Sequence, residues 1–462
     1  MASLLLQLPL LLLCLQVEHL PAPRSSGPCS EWFDNAWLKS RGYSADVCCW
    51  RNHTDCWQDG HTFASCCEDY DTLQYERLLA SVGHSPTSAS KELAAIALPL
   101  SSDLLHGSAL DGHLPSGEAE FVAPVYKTPR DFFKAVAPAA ALALQIAPGG
   151  ETSSAAAAPV LFVMTAPGNF ARRQAIRRTW LQTALWEGAE GVRYAFVVAA
   201  PDATDRKRIP RIAQELQEEQ AEYSDVLLLP SLQDVYWGWE HTAKTFLALV
   251  AVFARAPGAT YYACLHDDVY VHLPRLTALL TRWSSGLAEE DAIQSSDSSP
   301  VGLYLGNAYR GHDFVGHSKD DGPAYEAMHG HRKMPPVMKG GLWVVDNTVA
   351  RWVAAMMSGP AVILPWRLWP SDDDSVGLVF GELDIQRAHA LRHGIEWFDW
   401  RLADRCDGEQ LVVAHDLKTP RELFEMWVRH LAFDDPCYGF SDDMTGAAVR
   451  LTSRPEEFAI QE

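Results

Sequence analysis

The chain has 462 residues, enough for two or three domains, and is 48% hydrophobic and 21% charged with sixteen tryptophans, a composition that supports a large globular core. Its formal charge of −21, from 38 basic against 59 acidic residues, comes without any Lys/Arg stripe. That combination argues against nucleic-acid binding and leaves neutral substrates, or anionic ones handled through a metal or a few local arginines.

Leu4 to Val17 is a largely apolar run of fourteen residues broken only by Gln7 and Gln16. It is short for a bilayer span and fits the core of a signal peptide. Pro9 and the absence of a basic residue before the run weaken an anchor reading. Residues 1–22 therefore read as a cleaved secretory signal, with a short uncleaved anchor as the alternative. Of ten cysteines, six fall between Cys29 and Cys67, with adjacent pairs at 48–49 and 66–67. In an oxidising compartment this fits a three-disulfide module over residues 28–70, with fifteen possible pairings. A zinc site is disfavoured because the segment has no Cys-x-x-Cys pair. Asn52-His53-Thr54 is an acceptor pattern for N-glycosylation.

Residues 71–158 are mixed. They close in the run Ala137 to Pro159, rich in Ala, Pro, Gly and Ser with one charge, which reads as a linker with room for one short helix. From residue 159 the texture changes. "VLFVMTA" is a strand ending in a Pro-Gly turn, "ARRQAIRRTWLQTALW" a helix and "VRYAFVVAA" a strand. Ile209 to Glu222 is a helix with Pro210 tolerated in its first turn. "DVLLLP" is a strand, "WEHTAKTFLALVAVFARA" a helix, "TYYACLHDDVYV" a strand and "LPRLTALLTRW" a helix. Strands alternating with helices at this spacing predict an α/β domain over 159–435 with a mostly parallel sheet covered on both faces. The remaining residues, 436–462, form a tail.

In such sheets ligands sit beyond the carboxyl ends of the strands. That is where His266, Asp267 and Asp268 fall. The residues before them are strongly apolar and those after them resume strand character, so the acids interrupt a central strand. Buried carboxylates need water, a base or a cation. A carboxylate pair with an imidazole in reach can hold Mn²⁺ or Mg²⁺ and leave positions open for a diphosphate.

The block His266-Asp267-Asp268-Val269-Tyr270-Val271 resembles the Asp-x-Asp region of glycosyltransferase family 31, with His in place of the first acid. This family comprises the β1,3-galactosyl- and N-acetylglucosaminyltransferases and their Fringe-like relatives, built on the nucleotide-diphospho-sugar (GT-A) fold. Five further blocks, two before it and three after, come in family order. "NFARRQAIRRTW" looks like the opening arginine-rich segment. "EYSDVLLLPSLQDVY" is similar to the next block, with Lys244 matching the lysine of the helix after it. "PPVMKGGLWVVD" looks like the Pro-Tyr-x-x-Gly-x-Gly-Tyr segment, keeping Gly340 but carrying Leu342 and Trp343 at the later positions. "WPSDDDSVG" resembles Glu-Asp-Val-x-x-Gly, and "VVAHDLK" the C-terminal Val-His-x-x-Lys segment. The resemblance covers about 159 to 430.

It implies a metal-dependent inverting transfer of galactose or N-acetylglucosamine from a UDP-sugar to a glycan, glycoprotein or glycolipid acceptor, in the secretory pathway and foremost the Golgi. Membrane contact would come only through the N-terminal segment. Asp268 and His415 are the implied ligands of Mn²⁺ or Mg²⁺, with His266 either a third ligand or a structural histidine. Asp267 positions ribose or backbone groups, and Lys418 reaches toward the diphosphate. Asp373 is the candidate base, with Asp372 in reserve. Arg172 and Arg177 are candidates to pair with phosphate or stack on uracil, whereas Arg173 and Arg178 read as a solvated basic face and Trp180 as core. Gly340 and Gly341 fit a tight turn under the sugar. The departures at His266 and Leu342, and a Tyr236–Lys244 spacing longer than the family's, keep a second possibility open: a sugar-binding or scaffold protein on a degenerate transferase domain.

Overall fold

A computed structural model describes residues 92–98, 129–146, 159–185, 191–201, 208–235, 239–284, 302–309, 323, 326–327, 337–359, 372–381, 383, 385–389, 395–399 and 411–433. The expected signal segment, cysteine module and C-terminal tail lie outside these residues.

Five of the first elements are the expected alternation: β1 (Val160–Met164), α2 (Phe170–Arg178), β2 (Arg193–Ala200), α3 (Ile209–Tyr223) and β3 (Val226–Gln233). Ahead of them stands α1 (Pro129–Ile146). After them come α4 (Trp239–Arg255), β4 (Tyr261–His266), β5 (Tyr270–Val271), α5 (Leu273–Ser284), β6 (Leu303–Tyr309), β7 (Val337–Asp346), α6 (Asn347–Ser358), α7 (Asp372–Gly381), β8 (Gln386–His389), β9 (Ile395–Asp399), β10 (Val413–His415) and α8 (Pro420–Phe433). Seven strands form one sheet in the order β3-β2-β1-β4-β7-β6-β8, and β5, β10 and β9 form a second. In the large sheet β1 to β4 run parallel, while β7 lies antiparallel to both β4 and β6. The architecture is mixed α/β with a largely parallel central sheet.

Period-two alternation divides the strand side chains between two cores. Val160, Phe162 and Met164 join one cluster with α1, α4, α6 and α7. Leu161 and Val163 join the other, with Trp180 and residues of α5 and α8. The chain runs outward from β1 through β2 to β3 and then returns to β4 beside β1. The crevice between the carboxyl ends of β1 and β4 is thus the switch point where such sheets bind ligands.

Two sequence expectations are corrected here. The Ala-rich run is not a linker from its start: residues to 146 belong to α1, an 18-residue helix. Phe132, Val136, Ala139, Ala140 and Ala143 recur at helical spacing and are all buried, while Pro138 is exposed. The long helix expected after β1 also stops early. It ends at Arg178, and a 3-10 turn, Trp180–Leu185, follows. Thr179 makes the break with φ −119° and ψ −119°, and the change of direction carries Trp180 into the core at 0% exposure.

Candidate active site

The strand that carries the acids ends at His266; Asp267 and Asp268 form a turn, and β5 begins at Tyr270. β5 then pairs antiparallel with β10 in the second sheet. The acids therefore sit where the chain leaves one sheet for the other, inside the protein and at the β1/β4 crevice. Both are 7% exposed.

Asp267 is anchored to the end of β1 and the start of α2. Its Oδ2 accepts from Thr165 Oγ1 at 2.6 Å and from Asn169 Nδ2 at 2.8 Å. Its Oδ1 accepts from Arg172 Nη1 at 2.8 Å. Arg172 Nη2 donates to the carbonyl of Lys418 at 2.6 Å, so one guanidinium joins the acidic turn to the segment after β10.

Asp268 faces that same segment. Lys418 Nζ donates to its Oδ2, and His415 Nε2 lies 3.3 Å from its Oδ1. Burial alone would raise this carboxyl's pKa, but His415 and Lys418 outweigh it and hold Asp268 well below the usual carboxylate range. Its Oδ1 is buried and accepts no hydrogen bond among the described residues. Asp416 turns the chain between His415 and Lys418 with φ 72°, a left-handed conformation that Asp adopts more readily than most residues.

His266, Asp268 and His415 each offer one ligand atom, and the three atoms lie within 4.8 Å of one another. The fold thus brings together the three residues singled out as metal ligands, across about 150 positions of chain. Gly341 makes this approach possible: a Cβ there would stand 2.9 Å from His415 Cβ.

Asp372 also meets His266. Its Oδ2 is 3.3 Å from His266 Nε2, and its Oδ1 is 3.6 Å from His241 Nε2. Oδ1 also accepts from the Asp373 amide at 3.0 Å, and Oδ2 from Thr245 Oγ1 at 3.4 Å. Burial opposes charge on His266, but the contact with Asp372, with the charges of Asp373 and Asp268 adding, raises its pKa to about 9. Burial likewise opposes the charge on Asp372, and the two imidazoles outweigh it. Asp373 follows in the first turn of α7, half-buried. α7 reaches this position because Gly377 lets it press on β7; a Cβ there would stand 2.6 Å from Val337 Cγ2.

Other expected residues take different parts. Arg177 is 2% exposed. Its Nε and Nη2 bond Asp225 at 2.8 and 2.7 Å, and Nη2 also meets Glu219 at 2.6 Å. Its guanidinium carbon stacks over Tyr223 and Phe196, 4.1 and 4.7 Å from the ring centres. A cation so enclosed is structural, which corrects the nucleotide-contact reading. Arg173 is not on a solvated face either: it is buried and bonds Glu219 through Nε and Nη2. Gly340 and Gly341 lie within β7 rather than in a tight turn. They fall where its register with β6 slips, because Gly306 faces Trp343 whereas Ala308 faces Met338. Leu342 faces Leu265 across the β4–β7 pair and is core. Lys244 is buried, donating to the Thr165 carbonyl at 2.8 Å and to Asp234 at 2.6 Å.

Sequence reasoning did not single out Thr165, Asn169, Thr245 or His241. Thr165 follows directly on β1 and Asn169 directly precedes α2, and polar residues in the turn after a strand next to β4 are the signal that would have found them. His241 had no such signal, since only the tertiary fold brings it to Asp372.

Residues 171–390 match the sequence model of the galactosyltransferase family. The matched span holds the acidic turn, Arg172, β7 and Asp372 together. Residues 171–390 are thus similar to galactosyltransferase-family domains. Relatives of this domain include mouse (Mus musculus) UDP-GlcNAc:betaGal beta-1,3-N-acetylglucosaminyltransferase 8, 27% identical over 59% of this chain and 62% of its own. Human (Homo sapiens) acetylgalactosaminyl-O-glycosyl-glycoprotein beta-1,3-N-acetylglucosaminyltransferase is 29% identical over 58% and 65%. Mouse beta-1,3-galactosyltransferase 6 is 27% identical over 60% and 77%. The chain spans less than two thirds of the length of the first two of these. Among solved structures, mannose-1-phosphate geranyltransferase from Thermus thermophilus aligns over 50% of this chain and 73% of its own at 15% identity, with a TM-score of 0.24, too low a likeness to carry an argument. The match ends before β10, so His415 and Lys418 lie beyond the matched span.

Proposed function

We propose that the domain is a metal-dependent inverting transferase. It moves galactose or N-acetylglucosamine from a UDP-sugar to a hydroxyl of a glycan acceptor, on a glycoprotein or glycolipid, and forms a β1,3 linkage. The observation that carries this reading is the meeting of His266, Asp268 and His415 at the β1/β4 switch point. The match of residues 171–390 to the galactosyltransferase family, and relatives named as β1,3-glycosyltransferases, support the reaction class. The apolar run at Leu4–Val17 and the clustered cysteines support work in the secretory-pathway lumen, in the Golgi, with membrane contact only through the N-terminal segment.

The residues fit a divalent cation, because Asp268 Oδ1 is buried and accepts no hydrogen bond among the described residues, and two imidazoles stand beside it. Asp268 and His415, joined by His266, would hold Mn²⁺ or Mg²⁺, which when bound neutralises charge on the departing diphosphate. Arg172 and Lys418, 26% and 48% exposed at their side chains, supply further positive charge toward the phosphates. Asp267 holds Arg172 in place. Asp373 takes the proton of the acceptor hydroxyl as its oxygen attacks the anomeric carbon. The bond from that carbon to the diphosphate oxygen breaks, and UDP leaves with the electron pair. Asp372, already engaged by His241, His266, Thr245 and the Asp373 amide, positions rather than reacts.

The test is a donor screen on the recombinant lumenal chain, following UDP release with and without Mn²⁺ over a panel of glycan acceptors. One observation favours the second reading, a sugar-binding or scaffold protein: the Lys418 ammonium already neutralises Asp268. Calorimetric binding of UDP-sugar with no turnover on any acceptor would support that alternative.

A further inference from the structure

The donor set at the strand end is unusual for a site expected to use Mn²⁺ or Mg²⁺. His266, Asp268 and His415 supply two imidazole nitrogens and one carboxylate. Oxygen donors suit Mg²⁺ and Mn²⁺, while imidazole suits ions later in the first-row series. One oxygen of Asp268 stays open to a cation: Oδ1, 3.3 Å from His415 Nε2, is buried without an accepted hydrogen bond among the described residues, on a side chain 9% exposed.

His266 is also held as a ligand histidine is held. A metal-bound imidazole almost always gives its second ring N–H to a carboxylate, which fixes the tautomer and raises the basicity of the ligating nitrogen. Here Asp372 Oδ2 stands 3.3 Å from His266 Nε2. With Nε2–H directed at that carboxylate, Nδ1 is the nitrogen that would give up its proton when a metal ion binds. Asp372 is itself buried and fixed from three sides, by the Asp373 amide, Thr245 Oγ1 and His241 Nε2. His241 and Asp372 thus form a support that meets His266 at Nε2.

We propose that His266 is a third metal ligand, positioned by Asp372 and His241, and that this two-histidine, one-carboxylate site prefers a borderline ion such as Co²⁺ or Zn²⁺ to Mn²⁺. His241 and Asp372 are positioning residues in this account. The inference rests on the metal-site reading given under Proposed function, and goes beyond it in the support that Asp372 and His241 give His266 and in the choice of ion.

Pulsed electron paramagnetic resonance on the Mn²⁺-loaded full chain counts coordinated imidazole nitrogens without any substitution. Two are expected, and one would overturn the proposal while leaving a site made of Asp268 and His415 intact. Calorimetry with Co²⁺ and Mn²⁺ then measures preference. His266→Asp should lower the ratio of Co²⁺ to Mn²⁺ affinity by about tenfold or more. Asp372→Asn and His241→Leu, which keep all three ligands, should weaken Co²⁺ binding by roughly 10–100-fold, with melting curves confirming the fold. An affinity ratio unchanged in His266→Asp, or Co²⁺ binding unchanged in both supporting variants, would overturn the proposal. No metal binding to the unmodified chain would overturn it together with the metal-site reading, and that result is distinct from binding through a single imidazole.

Discussion

Gly341 leaves room for His415: a Cβ added to the glycine would come within 2.9 Å of His415 Cβ and 3.2 Å of its Cγ. β10 thereby seats its last residue against β7 and brings an imidazole to Asp268 from about 150 positions away. Gly341→Ala should displace His415, weaken Mn²⁺ or Co²⁺ binding by about tenfold, and cost roughly 1–3 kcal/mol as overpacking does. The stability loss should largely vanish when His415 is also changed to Gly, because the colliding atom is then gone. Calorimetry and urea unfolding of the two single variants and the double variant check this as a cycle.

Arg172 and Arg177 should part company on substitution. Arg177→Ala leaves Glu219 and Asp225, both buried, with less positive charge, and should cost about 3–5 kcal/mol. Urea unfolding would show the loss, while UDP affinity of the folded protein should stay close to that of the unmodified chain. A variant of normal stability and reduced UDP affinity would restore Arg177 to the nucleotide site.

Arg172→Ala has the opposite signature. It removes bonds to Asp267 and the Lys418 carbonyl at a partly exposed position, so stability should fall by only about 1 kcal/mol. The loss of a charge-assisted contact to the diphosphate should weaken UDP binding by roughly tenfold or more. Titration with UDP in the presence of metal measures it.

The contrast between these arginines marks how far the sequence could be read. Strand ends were legible because apolar runs stop abruptly there: β4 breaks at His266 just where the acids begin. The three ligand candidates stood at strand ends and meet in the fold. The division of labour within α2 was also present, though easily overlooked. Arg173 and Arg177 are four apart and share a helix face, here turned to Glu219 and Asp225, while Arg172 points elsewhere. Ala139 and Ala143, which continue the periodic face of Phe132 and Val136, were hidden by an Ala-rich composition that suggests a linker. What sequence does not carry is the contact between distant segments. His241 reaching Asp372, and Gly341 making space for His415, depend on how α4, α7, β7 and β10 pack.

A second histidine cluster predicts acid sensitivity. His272 is buried, its ring 4.1 Å from that of His430, with Tyr270 Oη bonded to His430 Nδ1 and the Arg275 amide 3.4 Å from His272 Nδ1. Burial, with the charges of His430 and Arg275 adding, lowers its pKa to about 3. The unfolded ring takes up its proton near pH ~6.5, so between those values the unfolded chain binds more protons. Stability therefore falls as pH drops through that window, by up to about 1.4 kcal/mol per unit from this group. His272→Phe keeps a ring against His430 without the titration. Its stability, measured by urea unfolding from pH ~7 to ~5, should decline less steeply than that of the unmodified chain. Parallel curves would exclude His272 as the cause.

The most direct measurement of the central claim is UDP release by the recombinant lumenal chain and its Asp268→Ala variant, using UDP-galactose and UDP-N-acetylglucosamine with β-linked glycan acceptors, with Mn²⁺ and after chelation. Acceptor-dependent release that chelation abolishes and that Asp268→Ala reduces by about 10³-fold or more, in line with the loss of a large electrostatic term, is the predicted result. Release that proceeds equally in the Asp268→Ala variant, or survives complete removal of divalent metal, would contradict it.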